Sequence, residues 1–507
     1  MSETASAAPS APAALRSALA DWWRTDGLTW IYLLKALVAA FFALAIAMRL
    51  DLPQPRTAMT TVFIVMQPQS GAVLAKSFYR IGGTLVGLVV TLVLVALFAQ
   101  HAELFLAALA LWIGICTAGA ARNRNFRSYG FVLAGYTAAL IGIPAAQQAD
   151  GAFLAALTRA SEVTLGVLCA GLVSALVVPQ HASEQMRSTV RARYSAFVEY
   201  VAAAFAGRVE RDQVERTNTR FLAEIVGFEA MRSIAVFEGP EMRGRSGRLA
   251  RLNSEFMTAS TRFHTLHQLM NRLRATGATE TVAALDPYFA ELGLLLHAPA
   301  EPVLSTADAA QAAEKLRAFK AGLPGRVRET RARLETRLET RLETRPGCAL
   351  LEFDTASELL YRFVDDMHAY ALTYASLASA THERERSPER YEPKTNAVAT
   401  GIAGVRGAFL MAALSAFWIA TAWPSGGTLV LNAAAVCALA SSSPTPTRMA
   451  VQMSIGTALA VFVGFIVVFG VYTHIDGLPM LCVALTPPLA FGVFLTTRPK
   501  LAGIGVG

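Results

Sequence analysis

One carboxylate stands inside the apolar stretches of this chain. Glu162 lies about ten residues, or ~15 Å of helix, into the segment Ala152–Val178. Arg159 precedes it by three positions, on the same helical face. A carboxylate at that depth in hydrocarbon is costly and marks a functional position, here a proton carrier. The alternative is a structural Arg159–Glu162 pair that ties helices together. Two cations, Lys35 and Arg406, occupy equivalent places in the first and seventh apolar segments. They either attract an anion toward a central path or reach along their stems to the cytoplasmic surface. Phe41 and Phe42 follow Lys35, and Phe417 and Trp418 follow Arg406; their rings suit stacking on an aromatic solute or ordinary helix packing.

Backbone chemistry is written into the stretch VMQPQSGAVLAKSFYRIGGT. Pro68 removes an amide donor and Gly71 loosens the chain. Unpaired backbone groups cannot face lipid and must line a cavity or be buried in protein. Gln67, Gln69 and Ser70 then offer hydrogen bonds to a solute. A second interruption, SSSPTPT with Pro444 and Pro446, ends the eighth segment. Short, Pro/Gly-interrupted segments at matching places in two halves point to a transport site; the plainer reading is a turn after a tilted helix. No P-loop, HExxH or GxSxG occurs, so neither ATP drive nor an enzyme is expected. His264 and His267 share a helical face but lack a third metal ligand. The five cysteines have no paired spacing and read as free thiols. No cofactor and no metal are expected.

The elements that must position these groups follow from composition. The 507 residues are 54% hydrophobic and 16% charged, against about 25% charged in soluble domains, so much of the chain belongs in lipid. The net charge of +8 fits arginine-rich cytoplasmic loops better than nucleic acid. The Ala/Ser/Pro-rich residues 1–27 read as a flexible tail rather than a secretory signal. Six apolar segments follow: Leu28–Met48, Thr57–Met66, Ile81–Ala99, Leu104–Ala120, Tyr129–Ala145 and Ala152–Val178. After a polar region over 179–396 come four more: Ala397–Trp423, Gly427–Ala440, Met453–Tyr472 and Leu478–Thr496. Most reach the 17–25 residues of a spanning helix, while the second and eighth are short. The basic stretches KSFYR, ARNRNFR and MRSTVRAR, read as connectors, place the amino terminus and the polar region in the cytoplasm.

The two apolar blocks, 28–178 and 397–507, read as one unit used twice in parallel orientation, the second incomplete. An all-α membrane protein with about ten spanning helices and a helical cytoplasmic domain is therefore expected. TTRPK matches ARNRN, and two further helices are expected after LAGIGVG. The polar region carries apolar residues at helical spacing, as in SELLYRFVDDMHAYALTYASLAS. Its repeat RLETRLETRLETR, with Leu334, Leu338 and Leu342 in a drifting stripe, reads as a low-complexity helical extension without chemistry of its own.

VMQPQSGAVLAKSFYRIGGTLVG, ARNRNFRSYGFVLAGYTAALIG and RASEVTLGVLCAGLVSALVVP resemble the fusaric acid resistance family. Its best-known branch is the aromatic carboxylic acid exporters of the Gram-negative inner membrane; plant aluminium-activated malate transporters look like distant relatives of one six-helix half. The resemblance implies a proton-motive-force-driven exporter of aromatic or related weak organic acids. It also implies a periplasmic membrane fusion protein as partner, often an outer-membrane channel, with a homodimer as one expected assembly. Carried onto this sequence, Gln67–Gly71 and the cations Lys35, Arg80 and Arg406 become the pathway, and Glu162 the coupling group. Met453 stands where the second half would repeat Arg80, and no second Glu162 occurs there. A passive anion channel, or a membrane-anchored sensing or assembly protein, are the alternatives.

Overall fold

A computed structural model of the chain describes residues 22, 27–98, 100–123, 125–145, 149–205, 211–296, 304–340, 346–379, 383, 394–443, 445–498 and 500–506. Nearly all of these are helical, and among them no strand forms beyond one isolated bridge, Asn123 to Lys394. The chain divides into two compact units, Met1–Gln180 with Pro393–Gly507, and His181–Glu392.

The first unit holds the apolar helices. In chain order these are α1 (Leu28–Arg49), α2 (Pro55–Val65), α3 (Ser70–Phe98), α4 (Ala102–Arg122), α5 (Arg127–Ala145) and α6 (Ala152–Leu176). Eight helices of the described chain are long and apolar enough to cross a membrane, and Gly426–Ser442 is a shorter apolar one. The eleven residues of α2 give it ~16 Å, about half a hydrocarbon core. Pro55 at its first turn costs nothing there, because that amide would be unpaired in any case.

One expectation is corrected here. KSFYR is not a connector: α3 begins at Ser70, directly after Met66–Gln69, and runs 29 residues through Lys76 and Arg80. Only the Pro68 stretch leaves the helix. Lysine and arginine are good helix formers, and once their heads are met by other side chains nothing forces the chain to turn. KSFYR therefore carries no weight in assigning orientation.

Close packing in this unit is set by glycine. A Cβ at Gly83 would lie 2.4 Å from the Gly130 carbonyl oxygen, and one at Gly87 2.8 Å from that of Ala134. The α3–α5 crossing is thus backbone against backbone, the small-residue packing that membrane helices use in place of a hydrophobic drive. Gly166 on α6 likewise meets the Ala58 carbonyl oxygen of α2 at 2.5 Å.

The later apolar helices of this unit are numbered after the six of the other one: α13 (Ala397–Thr421), α14 (Gly426–Ser442), α15 (Pro446–Ile466), α16 (Gly477–Thr497) and α17 (Ala502–Val506). Helix α13 packs on α4, where Gly404 and Gly407 would each put a Cβ within about 3 Å of α4 atoms. Helix α16 packs on α1, with Val493, Leu489 and Phe494 against the α1–α2–α6 core. Trp418 lies across Gly426 and Gly427, so its indole packs the α13–α14 turn.

The second unit comprises α7 (Ala182–Phe205), α8 (Arg211–Ala235), α9 (Pro240–Ala275), α10 (Thr279–Leu296), α11 (Thr306–Thr340) and α12 (Pro346–Ser376) around one aromatic-rich core. Phe197 meets Phe221 and Phe256 edge to face at 5.5 and 5.2 Å. Leu334 and Leu338 of the RLET repeat are buried in this core, so the repeat continues a packed helix; Leu342 lies outside the described residues. His267 lies against Phe263, ring centroids 6.0 Å apart.

Candidate functional site

The short helix α2 is held by side chains from its neighbours. The carboxylate of Glu162, 1% exposed, accepts a hydrogen bond from the Gln54 backbone N–H at 2.8 Å. It therefore sits at the N-terminal, electropositive end of α2, where a negative charge is stabilised. Arg159 donates not to Glu162 but to Thr57 Oγ1 at 3.0 Å, in the first turn of the same helix. The two groups read in sequence as a pair on one face of α6 are separately engaged with α2.

One turn along α2, Thr61 Oγ1 accepts from Arg80 Nη2 at 3.0 Å. The second Arg80 amine, Nη1, donates to the Tyr129 hydroxyl of α5 at 2.5 Å. Arg80 is 2% exposed, and its Nε and that of Arg159 have no hydrogen-bond partner among the described residues. The ammonium of Lys76, one turn before Arg80 on α3, lies over the Tyr129 ring at 5.1 Å from its centroid, a cation–π contact. This geometry depends on the glycine crossing: Gly83 and Gly130, the point of backbone contact, lie three residues past Arg80 and one past Tyr129.

Two arginines thus donate to α2, Lys76 lies beside them on Tyr129, and the one carboxylate accepts from a backbone amide. Arginine is built for two-pronged bonding to carboxylate or phosphate, and charge-assisted bonds are about twice as strong as neutral ones. Here both acceptors of Arg80 are neutral hydroxyls. Positive charge in excess inside an apolar bundle is an arrangement that an anion completes.

The remaining predicted residues are distributed differently. Lys35, 2% exposed, donates to the Val178 carbonyl at 2.5 Å and so closes the C-terminal end of α6 rather than reaching for a surface. Arg406 is exposed on α13 among Ile402, Val405 and Phe409. The sequence equivalence of the two cations is therefore not matched by equivalent surroundings. Gln67 donates to the Met66 carbonyl at 2.8 Å, Pro68 is exposed, and Gln69 is half-buried. Ser70 Oγ donates to the Ser174 carbonyl at 3.2 Å, and its backbone N–H to that of Gln180 at 3.0 Å, so the break rests on the end of α6. Gly71 is buried in the first turn of α3. Pro444 lies outside the described residues. Sequence reasoning missed Lys76, Tyr129, Thr57 and Thr61. The four-residue spacing of the two threonines on one face of a short helix was the available signal.

The model of the Fusaric acid resistance protein family matches residues 29–507, nearly the whole chain. The chain belongs to this family. Fusaric acid resistance protein FusC of Burkholderia cepacia is 58% identical over 352 residues, 69% of this chain and 99% of its own. Uncharacterized transporter YdhK of Escherichia coli (strain K12) is 26% identical over 491 residues, 95% of this chain and 68% of its own. The p-hydroxybenzoic acid efflux pump subunit AaeB of Yersinia pestis (strain Pestoides F) is 26% identical over 482 residues, 92% of this chain and 67% of its own. Membership of the fusaric acid resistance family and the apolar helices together make this a multi-pass membrane transporter of the efflux and resistance type.

Proposed function

We propose that this protein exports aromatic or related weak organic acids across the cell inner membrane, driven by the proton-motive force. The observation that carries this reading is the cation excess around α2 and Tyr129: Arg80 and Arg159 donate to neutral hydroxyls, Lys76 lies on the Tyr129 ring, and one carboxylate is engaged by a backbone amide. An organic anion entering from the cytoplasm or inner leaflet is attracted there and passes outward along the interrupted helix near Gln67–Gly71. Glu162 carries the coupling proton: protonation removes its charge from the end of α2 and loosens that end, and Arg159 tunes the exchange. Two parallel repeats, 28–178 and 397–507, enclose the route, with Arg406 and Pro444 contributing from the second. Residues 179–396 form a cytoplasmic helical domain, and the amino terminus lies on the same side. A periplasmic fusion protein and an outer-membrane channel receive the exported acid. The name of the AaeB relative, a p-hydroxybenzoic acid efflux pump subunit, supports the substrate class.

The test is accumulation of a labelled panel of benzoic, hydroxybenzoic and aliphatic acids in cells with and without the protein, with and without an uncoupler. Lower accumulation of the aromatic acids that vanishes with the uncoupler is expected. Equal accumulation in both strains overturns the reading, and anion currents in a bilayer without a proton gradient replace the pump by a channel.

A further inference from the structure

The surroundings of Tyr129 define more than a place for negative charge. Its side chain is a phenol held at its tip by the Arg80 guanidinium, 2.5 Å from the hydroxyl, and on its face by the Lys76 ammonium, 5.1 Å from the ring centroid. The hydroxyl is a weak acceptor for a buried cation that has a spare N–H; among the described residues Arg80 Nε has no partner, and the residue is 2% exposed. A benzoate-like acid reproduces both contacts and improves one: its flat ring presents a face to the ammonium, and its carboxylate offers two charged oxygens to a fork that now holds two hydroxyls.

We propose that Tyr129 is a resident stand-in for the cargo, and that Arg80, Lys76 and Tyr129 form an aromatic-carboxylate site from which the tyrosine hydroxyl is displaced when cargo binds. This rests on the export reading and adds the origin of aromatic selectivity. In the empty state the phenol keeps Arg80 partly satisfied inside the bundle. When a carboxylate arrives, the Arg80–Tyr129 hydrogen bond breaks and a two-pronged ion pair forms, with Thr61 free to yield its bond as well. Lys76 supplies preference for a ring over an aliphatic chain of equal charge. Tyr129 is thus a specificity-determining residue, and its hydroxyl competes with the cargo it resembles.

The experiment uses the full-length protein in nanodiscs of zwitterionic lipid and measures binding of benzoate, cyclohexanecarboxylate and phenol. Wild type is expected to bind benzoate above cyclohexanecarboxylate, and phenol least. Tyr129→Phe, which removes only the competing hydroxyl, is expected to bind benzoate about tenfold more tightly, the worth of one hydrogen bond to a charged group. Lys76→Met is expected to bind the two acids equally. Arg80→Lys, which keeps the charge but loses the fork, is expected to lose most benzoate affinity. Unchanged or weaker benzoate binding by folded Tyr129→Phe overturns the proposal. Repeating the measurement with anionic lipid separates the sources of anion: if the lipid abolishes benzoate binding and is retained through Arg80, the site belongs to a headgroup and the proposal fails. Benzoate binding with these variant effects, but no export in cells, sinks the transport reading and leaves the site standing. Export in cells with no Tyr129→Phe effect does the reverse.

Discussion

Helices α1–α6 and α13–α16 are equally apolar yet make different use of it. The most apolar stretches of the five long helices in the first group are between a third and two thirds buried, from 33% to 67%. In the second group the values fall to 28% for α13, 6% for α15 with its continuation to His474, and 11% for α16. Hydropathy does not separate them; α3 and the α15 stretch are nearly equal in it. Small and polar residues do. Gly83, Gly87 and Gly166 of the first group touch backbone, as does Gly404 of α13, whereas Gly464, Gly470 and Gly492 of α15, its continuation and α16, like Gly82 and Gly171 of the first group, have nothing among the described residues within 4 Å of an added Cβ. Lys35, Arg80 and Glu162 are buried and bonded, whereas Arg406 is exposed. Apolar composition says that a helix tolerates lipid; glycine against backbone and a bonded charge say that protein covers it.

The contrast can be broken by substitution. Gly83→Val puts a branched side chain where the Gly130 carbonyl lies and is expected to cost more than about 4 kcal/mol, seen as loss of monodisperse protein in size-exclusion chromatography. Gly464→Val, in open surroundings, is expected to leave the elution unchanged; equal damage from both would erase the distinction between the two groups. Glu162→Ala removes the charged acceptor of the Gln54 amide and is expected to cost about 1.5–3 kcal/mol in thermal unfolding. Arg406→Ala is expected to stay within about 0.5 kcal/mol.

Lys35→Met should fall between these, at about 1–2 kcal/mol, because the Val178 carbonyl loses a charged donor. A neutral result would mean that the α6 end is satisfied in another way.

The smallest effect is expected outside both groups, in the helical unit. Burial, Arg274 and His264 hold the His267 imidazole below its ordinary value. The unfolded chain therefore takes up a proton near pH 6.5 that the folded one refuses, so the contribution to stability is full above that pH and declines below it. Unfolding midpoints at pH 7.5 and 5.5 should differ less in His267→Gln than in wild type.

Much of this was legible in the chain. The positions of the apolar segments, the brevity of the second and the isolation of Glu162 all follow from residue type and spacing, because burial in lipid forbids polar groups locally. What was not legible depended on pairing at a distance. KSFYR looks like a connector because the partners that keep Lys76 and Arg80 in a helix, Thr61 and Tyr129, lie 19 to 53 residues away. Arg159 and Glu162 look like a pair because three residues bring them to one face; only the placement of α2 shows that each has another partner. Lys35 and Arg406 look alike because each stands at a similar place in its own apolar segment, while burial is decided by neighbours that sequence position does not encode.

The brevity of α2 has one more consequence. A helix too short to reach both faces of a bilayer has an end inside the protein; here Met66 at the C-terminal end is fully buried, and its carbonyl accepts from the Tyr32 hydroxyl at 3.2 Å and the Gln67 side-chain amide at 2.8 Å. Tyr32→Phe removes one of those two donors, and the Met66 amide, which donates to the Val62 carbonyl at 2.8 Å, should then exchange its hydrogen for solvent deuterium faster.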